Sequence, residues 1–339
     1  MPVSQRTILV IHPGGLGDVL LSIGALAAMR TALPQHQIIL LAGSEVGHLL
    51  GQCGVIDQCL PIESSQLSAL FSGRGQISGV QHDLLSRCDL VIGWLSDHDG
   101  SLRRTMQEFG VPRVALQSPA DAGCHHQSER FLQALKGEFP VDVYPGIRLR
   151  LRLPDQVLQA GMDALHAVGI EQTVPLIVCH PGSGSMHKCV RADTWNTLIR
   201  GCRARQRMPV VVLGPADEQS EAAIEEQGIP ELPILRPQSV TLLAAILAQA
   251  QGYIGHDSGV THLAALLGVP TVALFGPTDE QRWAPRGTHV TVVRGGSCTC
   301  VDWGAVRACA EKPCLNVKPD EVFEALDAID FRYHRVTNS

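Results

Sequence analysis

The residues of this chain that could do chemistry lie in loops that each follow an apolar, strand-like run. In the loop Gly255-His-Asp-Ser-Gly259, backbone N–H groups, a carboxylate and a hydroxyl come just before a predicted helix that carries His262. A helix N-terminus attracts phosphate because its N–H groups and its dipole both favour an anion. Asp257 and Ser258 are also residue types that cap helices, so the sequence leaves a capping role and a phosphate-binding role open.

A second loop, Pro181-Gly-Ser-Gly-Ser-Met-His-Lys188, offers an anion both backbone N–H groups and a positive charge. Its small residues leave the backbone accessible, and the lysine adds an ammonium group. The loop is not a P-loop, because Cys189 follows the lysine and the glycine spacing differs. The sequence therefore predicts an oxyanion site built from Ser183, Gly184, Ser185 and Lys188.

A third loop, Gly214-Pro-Ala-Asp-Glu218, ends in two acidic residues. Asp217 and Glu218 are free to contact the hydroxyls of a ligand or to cap the helix that follows them. Both interpretations stay open at this point.

Near the start of the chain, the glycine-rich turn Pro13-Gly-Gly-Leu-Gly-Asp18 leads from an apolar strand into a helix. The turn is not a dinucleotide fingerprint, since Leu20 occupies the third glycine position of G-x-G-x-x-G. Asp18 is either a carboxylate in the first turn of a helix or a group aimed at a substrate. Spacing alone favours the structural role.

Composition indicates a globular protein of two domains. The chain has 339 residues, of which 45% are hydrophobic and 18% charged, and it carries a net charge of -6. With 7 Phe, 4 Trp and 3 Tyr, it offers few rings to stack on bases, so nucleic acid is not an expected partner. No run approaches a membrane span and no signal peptide is evident, which predicts a cytoplasmic protein whose 11 cysteines are reduced.

Alternation of strands and helices predicts an α/β fold with parallel sheets. The predicted strands are 7–12, 38–42, 89–94, 176–180, 209–213, 252–255 and 271–275, and the main predicted helices are 19–31, 46–52, 154–168, 192–205, 261–267 and 319–328. A run of alternating arginines and leucines from residue 147 to residue 153 is strand-like. Because parallel strands end at one edge of their sheet, the three loops of the second half should converge there.

Three segments together resemble glycosyltransferase family 9, the heptosyltransferase family. They are GGLGDVLLSIGALAAMR (14–30), HPGSGSMHK (180–188) and GHDSGVTHLAALLGVPTVALFGPTD (255–279). The resemblance implies a GT-B type α/β fold, in which two Rossmann-like domains with parallel sheets face each other across a cleft. It implies an acceptor-side domain over 1–153, a connecting helix and linker over 154–174, a nucleotide-sugar domain over 175–318, and a terminal helix over 319–339 that packs back on the first domain.

The resemblance also implies a role for particular residues. Asp18 matches the catalytic base of the family and Lys188 matches the lysine on the donor phosphates. Glu218, or less favourably Asp217, falls at the acid that binds ribose. The remaining donor-binding residues are Ser183, Gly184, Ser185, Asp257, Ser258, Gly259 and His262, and the remaining acceptor-side residues are Gly14, Gly15 and Gly17.

The chain departs from the family pattern next to Lys188 and at His12. Cys189 and Val190 stand where the family usually has Arg-Trp, and His12 stands where a basic residue is common. The departure opens the possibility of a donor other than ADP-heptose. The family resemblance itself covers most of the chain, and the three segments occur in the same order as in the family.

Members of this family transfer a heptose from an ADP-activated donor, with inversion, to lipopolysaccharide. The expected partners are therefore ADP-heptose and a saccharide or glycolipid acceptor, with at most transient contact with the inner face of the membrane. No cofactor is expected, since a lysine and a helix dipole can replace a metal ion on the diphosphate. A non-catalytic protein that binds nucleotide sugars and a sugar-nucleotide epimerase are the alternative functions.

Two groups of residues are weaker metal candidates. Asp97-His-Asp99 resembles the D-x-D pattern of metal-dependent glycosyl transfer, but it is a very short pattern in a loop. Cys298, Cys300, Cys309 and Cys314 could offer four thiolates, although their spacing departs from the C-x2-C pairs of structural zinc sites. The sequence favours reduced thiols there and leaves metal binding open.

Overall fold

Residues 6–64, 79–119, 126–139, 150–171 and 173–328 are described by the structure, which is a computed structural model. The chain divides into two compact units, Met1–Leu149 and Arg150–Ser339. The strand expected over 147–153 lies partly outside the described residues. Residues 150–153 form no strand. The N–H of Leu151 instead donates to the carbonyl of Leu266 at 2.8 Å, which ties this segment to a helix of the second unit.

The first unit contains a sheet of five parallel strands in the order β3-β2-β1-β4-β5. The strands are β1 (Thr7–Ile11), β2 (Gln37–Ala42), β3 (Gln58–Pro61), β4 (Cys88–Gly93) and β5 (Val114–Leu116). The described helices are α1 (Leu16–Leu21), α2 (Ile23–Ala32), α3 (Ser44–Gln52), α4 (Gly79–Leu85), α5 (Ser101–Glu108) and α6 (Gln127–Gln133). Every residue of β1 is buried, as expected for the central strand of a parallel sheet.

The single helix predicted over 19–31 is wrong, because the chain forms α1 and α2 with a break at Ser22. The buried hydroxyl of Ser22 donates to the carbonyl of Val19 at 2.7 Å. A serine that bonds to the preceding turn competes with the helix for that carbonyl and bends the chain. The glycine-rich turn therefore leads into a short first helix.

The second unit contains a sheet of six parallel strands in the order β11-β10-β9-β6-β7-β8. The strands are β6 (Leu176–His180), β7 (Met208–Val212), β8 (Ile234–Leu235), β9 (Gly252–His256), β10 (Thr271–Phe275) and β11 (Val290–Arg294). The described helices are α7 (Asp155–Ala167), α8 (Ala192–Ala204), α9 (Glu218–Glu225), α10 (Val240–Leu247), α11 (Gly259–Leu266), α12 (Glu280–Trp283), α13 (Trp303–Ala308) and α14 (Pro319–Asp327), with 3-10 turns at Met186–Lys188 and Pro313–Leu315.

The order of these strands creates a switch point between β6 and β9. From β6 the chain adds β7 and β8 on one side, and it then returns to place β9 on the other side of β6. Ligands of open parallel sheets bind at such a point, beyond the carboxyl ends of the two strands. The loops after β6 and β9 are the two that the sequence predicts to bind phosphate.

Two helices outside the strand-helix alternation pack within the second unit. Gly161 of α7 lies so close to α10 that a Cβ atom there would be 2.3 Å from the carbonyl oxygen of Ala245. Helix α14 buries Val322, Phe323 and Leu326 in the core beside β10 and β11. The packing of 319–339 on the first domain stays a prediction, and residues 329–339 lie outside the described part.

Among the described residues, no helix combines the length and the apolar character that crossing a membrane requires.

Candidate active site

The loops after β6 and β9 meet through two side-chain contacts. The Nζ atom of Lys188 lies 2.7 Å from Oδ2 of Asp257, and the hydroxyl of Ser183 donates to the carbonyl of Asp257 at 2.8 Å. Ser185 caps the 3-10 turn Met186–Lys188, and its hydroxyl accepts from the N–H of His187 at 3.3 Å. Residues that are about seventy positions apart in the sequence thus form one site.

The ion pair leaves the lysine able to bind an anion. The side chain of Asp257 is 8% exposed and that of Lys188 is 22% exposed, so the lysine is the partner that solvent or a ligand reaches more easily. An ammonium group has three N–H donors, and a bond to one carboxylate oxygen is compatible with bonds to phosphate oxygens. The carboxylate therefore holds Lys188 in place at the N-terminus of α11.

Ser258 stands at the N-cap of α11, but it does not act as a cap. In the part of the chain that the structure describes, its side chain makes no hydrogen bond to the backbone of the first turn. Its hydroxyl lies 3.4 Å from Nδ1 of His180 and 3.2 Å from the hydroxyl of Thr261. The capping interpretation is wrong for Ser258, and the first turn, which begins at Gly259, presents its N–H groups without a cap from that side chain.

A buried polar array connects the ends of β6 and β7 beneath the site. Nε2 of His180 lies 3.1 Å from Oδ2 of Asp217, which also accepts from the N–H of Gly214 at 2.6 Å. Burial disfavours the charge on Asp217, but the hydrogen bond and the charge of His180, with the Gly214 N–H, outweigh it and lower the pKa of the carboxyl. Because a carboxylate only accepts, His180 donates from Nε2.

The two predicted acids differ in their exposure to solvent and in their hydrogen bonds to this array. Asp217 is 5% exposed and its carboxylate is engaged by His180 and Gly214. Glu218 is exposed as the first residue of α9. The geometry therefore favours Glu218 over Asp217 as the acid that contacts a ligand hydroxyl.

His256 holds both ends of the loop 182–190, which we call the phosphate loop because the sequence predicts that it binds phosphate. Its Nε2 accepts from the N–H of Val190 at 2.9 Å, and its Nδ1 lies 3.3 Å from the carbonyl of Gly182. Burial lowers the pKa of His256 to about 4, so the ring is neutral at neutral pH and can accept at one nitrogen while it donates at the other. Val190 is buried in the hydrophobic core, so this departure from the family pattern lies on the core side of the loop.

Sequence reasoning missed His180, His256 and Thr261. His180 and His256 end β6 and β9 beside predicted loops, and Thr261 lies in the first turn of α11. Those positions were the available signal, but the partners of the three side chains depend on the pairing of the strands. The hydroxyl of Thr261 contacts those of Tyr253 and Ser258 and donates to the carbonyl of His256, so it fastens α11 to β9. His262, a predicted donor-binding residue, is 5% exposed on α11.

In the first unit, Asp18 lies in α1 and is partly exposed. Its Oδ2 accepts from the N–H of Gly15 at 3.2 Å, so it does serve the start of its helix. A Cβ atom at Gly14 would lie 2.6 Å from the Cβ of Asp18, which explains a glycine there, whereas one at Gly15 would meet nothing within 4 Å. Gly17 lies within α1.

The Asp97–Asp99 pattern is accounted for by the start of α5. The carboxylate of Asp97 accepts from the N–H groups of Leu102 and Arg103 at 3.0 and 3.1 Å, and that of Asp99 accepts from Ser101 at 3.0 Å. Both acids therefore cap a helix.

Three of the four late cysteines have a pKa that depends on a neighbouring cysteine. The backbone and the thiol of Cys300 lower the pKa of Cys298, and Cys298 raises the pKa of Cys300. Burial, together with the nearby Cys298, raises the pKa of Cys314. Within the described residues, no group of three or more His, Cys, Asp or Glu side chains is arranged to hold a metal ion.

The model of glycosyltransferase family 9 (heptosyltransferase) matches residues 107–308. The chain is 24% identical over 294 residues to lipopolysaccharide heptosyltransferase 1 of Pseudomonas aeruginosa, covering 80% of this chain and 79% of that protein. Among solved structures, it is similar to a family 9 glycosyl transferase from Veillonella parvula (TM-score 0.80, 18% identity, 97% of this chain and 98% of that one). It is also similar to E. coli ADP-heptose lipopolysaccharide heptosyltransferase II, with a TM-score of 0.73 and 18% identity, over 98% of this chain and 100% of that one.

The chain contains two parallel sheets, and the switch point of the second carries a lysine, a carboxylate and a helix N-terminus that lacks a side-chain cap. The chain therefore has the α/β fold of the GT-B glycosyltransferase class, to which similar solved structures belong. The family match covers more than half of the chain. The protein therefore belongs to glycosyltransferase family 9, the heptosyltransferase family, and the fold class and family predicted from the sequence are confirmed.

Proposed function

We propose that this glycosyltransferase moves a heptose from ADP-heptose, with inversion and without a metal ion, to a saccharide hydroxyl of the lipopolysaccharide core. The observation that carries the proposal is the Lys188–Asp257 pair at the open N-terminus of α11. Its relatives support the donor and the pathway, because they are lipopolysaccharide heptosyltransferases and one is named for ADP-heptose.

The second unit would bind the donor. Lys188 and the N–H groups of the loop at Ser183, Gly184 and Ser185 would hold the diphosphate, and the first turn of α11, from Gly259 to His262, would add its dipole. Glu218, exposed at the start of α9, would bind the ribose hydroxyls. These groups supply the positive surroundings that the departing ADP needs.

Asp18 would act as the general base. It would take the proton of the acceptor hydroxyl while that oxygen attacks the anomeric carbon and the bond from this carbon to the diphosphate breaks. A carboxylate at a helix start is stabilised in its charged form, so it is ionised at neutral pH but is a weak base. Proton transfer late in the reaction suits such a base.

No metal ion is needed in this scheme, because Lys188 and the helix dipole balance the charge of the leaving group. The acidic pair Asp97 and Asp99 caps α5 and is not required by the chemistry. The acceptor would be a lipid-linked core saccharide, which implies transient contact with the inner face of the membrane from a cytoplasmic protein.

The proposal is tested by calorimetric binding of ADP-heptose, ADP-glucose, UDP-glucose and GDP-mannose in the presence of chelator. We expect the wild type to prefer ADP-heptose and Lys188→Ala to weaken its binding at least about tenfold, since a charge-assisted bond to phosphate contributes about 1.5–3 kcal/mol. Lys318→Ala is the matched control, because that lysine is exposed in the same unit and pairs with Glu321.

Preference for another nucleotide sugar would replace the donor and keep the site. Equal binding by the wild type and Lys188→Ala would contradict the role of the lysine. Binding that appears only with added magnesium would contradict a metal-independent site.

A further inference from the structure

The segment after β11 forms a closed loop, residues 297–312, which we call the Trp303 loop. Its base is fastened by hydrogen bonds from the N–H groups of Gly295 and Gly296 to the carbonyls of Cys314 and Pro313, both at 2.9 Å. Gly295 is required there, since a Cβ atom would lie 2.4 Å from the carbonyl oxygen of Pro313.

The Trp303 loop presents an indole beside the phosphate-binding lysine. Trp303 is the first residue of α13, and the carboxylate of Asp302 fixes that start by accepting from the N–H of Ala305 at 2.8 Å. The Nζ atom of Lys188 lies 5.9 Å from the centroid of the Trp303 ring, within the range of a cation–π interaction. Lys188 thus contacts an acid on one side and an aromatic ring on another.

The exposure of Trp303 calls for an explanation that packing does not supply. The indole is 43% exposed, whereas Trp94 and Trp195 are 1% and 2% exposed. Leaving so much of a large aromatic surface in water gives up burial free energy, at roughly 25 cal/mol per Å². A ring held by a fastened loop against a ligand-binding lysine gains that free energy when the ligand covers it.

We propose that Trp303 contacts the substrate, and that its indole packs against the sugar ring of the diphosphate sugar held on Lys188. The proposal rests on the proposed function and extends it to the donor sugar. The diphosphate bound by Lys188 carries two substituents, and the ribose is assigned to Glu218. The sugar is then the substituent left for Trp303, and its C–H groups offer an apolar face that an indole can cover.

The experiment compares ADP with ADP-heptose by calorimetry on four proteins: the wild type, Trp303→Ala, Trp303→Phe and Val301→Ala. We expect Trp303→Ala to weaken ADP-heptose about three- to tenfold and to leave ADP unchanged, because ADP lacks the sugar. Trp303→Phe should recover part of the loss. Val301 is the matched control, since it is 91% exposed in the same loop and carries no ring.

Two results would overturn the proposal while the proposed function stands: unchanged binding of ADP-heptose by Trp303→Ala, or equal weakening of ADP and ADP-heptose. Equal weakening would show that Trp303 acts only through Lys188. Binding of neither ligand by the wild type would instead contradict the proposed function, and the assignment of Trp303 with it. Thermal unfolding of each variant identifies a loss that comes from misfolding.

Discussion

At the scale of single residues, the role of each carboxylate depends on the groups to which it is already bound. Asp217 is held by His180 and by the Gly214 N–H, Asp97 and Asp99 cap a helix, and Asp257 holds Lys188. Residue types alone did not distinguish these roles. Their hydrogen-bond partners do, because a carboxylate oxygen that already accepts from the protein is less available to a ligand.

The variant Asp18→Asn tests whether Asp18 acts as the general base. Asparagine keeps an oxygen that can accept from the Gly15 N–H, so the start of α1 should be preserved. We expect turnover to fall at least about a hundredfold, the usual scale for losing a general base, while the affinity for ADP-heptose is unchanged. Steady-state rates and calorimetry measure the two effects. Glu108→Gln, at an exposed acid in the same unit, is the control. Near-normal turnover of Asp18→Asn would remove Asp18 from the role.

At the scale of elements, the sequence was most informative where apolar runs are bounded by glycine and proline. Strand 176–180 was predicted with its observed bounds, helix 192–205 was predicted to within one residue, and the loops after strands 176–180 and 252–255 were predicted to lie at one edge of the sheet, as observed. The contact of His180 with Asp217 could not be predicted. It depends on the register of β6 and β7, which pairs Cys179 with Val211. The position of Trp303 beside Lys188 depends likewise on the path of a loop.

The phosphate loop should tolerate a side chain at one glycine and not at the other. A Cβ atom at Gly182 would lie 1.7 Å from Oδ1 of Asp217, whereas one at Gly184 would meet nothing within 4 Å. We expect Gly182→Ala to lower the free energy of unfolding by about 1–3 kcal/mol, as overpacking does, and to weaken ADP-heptose binding as the loop shifts. Gly184→Ala should change the stability by less than about 1 kcal/mol. Urea unfolding and calorimetry distinguish them, and equal effects would contradict this view of the loop.

At the scale of the whole molecule, each unit contains a buried neutral histidine. Burial lowers the pKa of His12 in the first unit and of His256 in the second to about 4, from an ordinary value of 6.5. Below pH 6.5 the unfolded chain binds protons that the folded chain excludes until the pH nears 4. The free energy of unfolding therefore falls as the pH falls through this window, by up to about 3 kcal/mol for each histidine.

His256→Gln should remove one of these contributions. Between pH 7 and pH 5 we expect the variant to lose about 2 kcal/mol less stability than the wild type, because glutamine can bond to Val190 and Gly182 but does not titrate in this range. Urea unfolding at the two pH values measures the difference. His166→Gln, at an exposed histidine in the same unit, should keep the wild-type dependence. An unchanged dependence in His256→Gln would show that this ring is not kept neutral by burial.

Metal-independent, inverting heptosyl transfer, which we propose for this family 9 enzyme, is tested most directly by incubating the protein in chelator with ADP-heptose and a heptose-deficient core saccharide, followed by mass and NMR analysis of the product. We predict that the acceptor gains one heptose and that the anomeric configuration is opposite to that of the donor. Retention of configuration, transfer only after magnesium or manganese is added, or conversion of the donor without an acceptor would contradict the account.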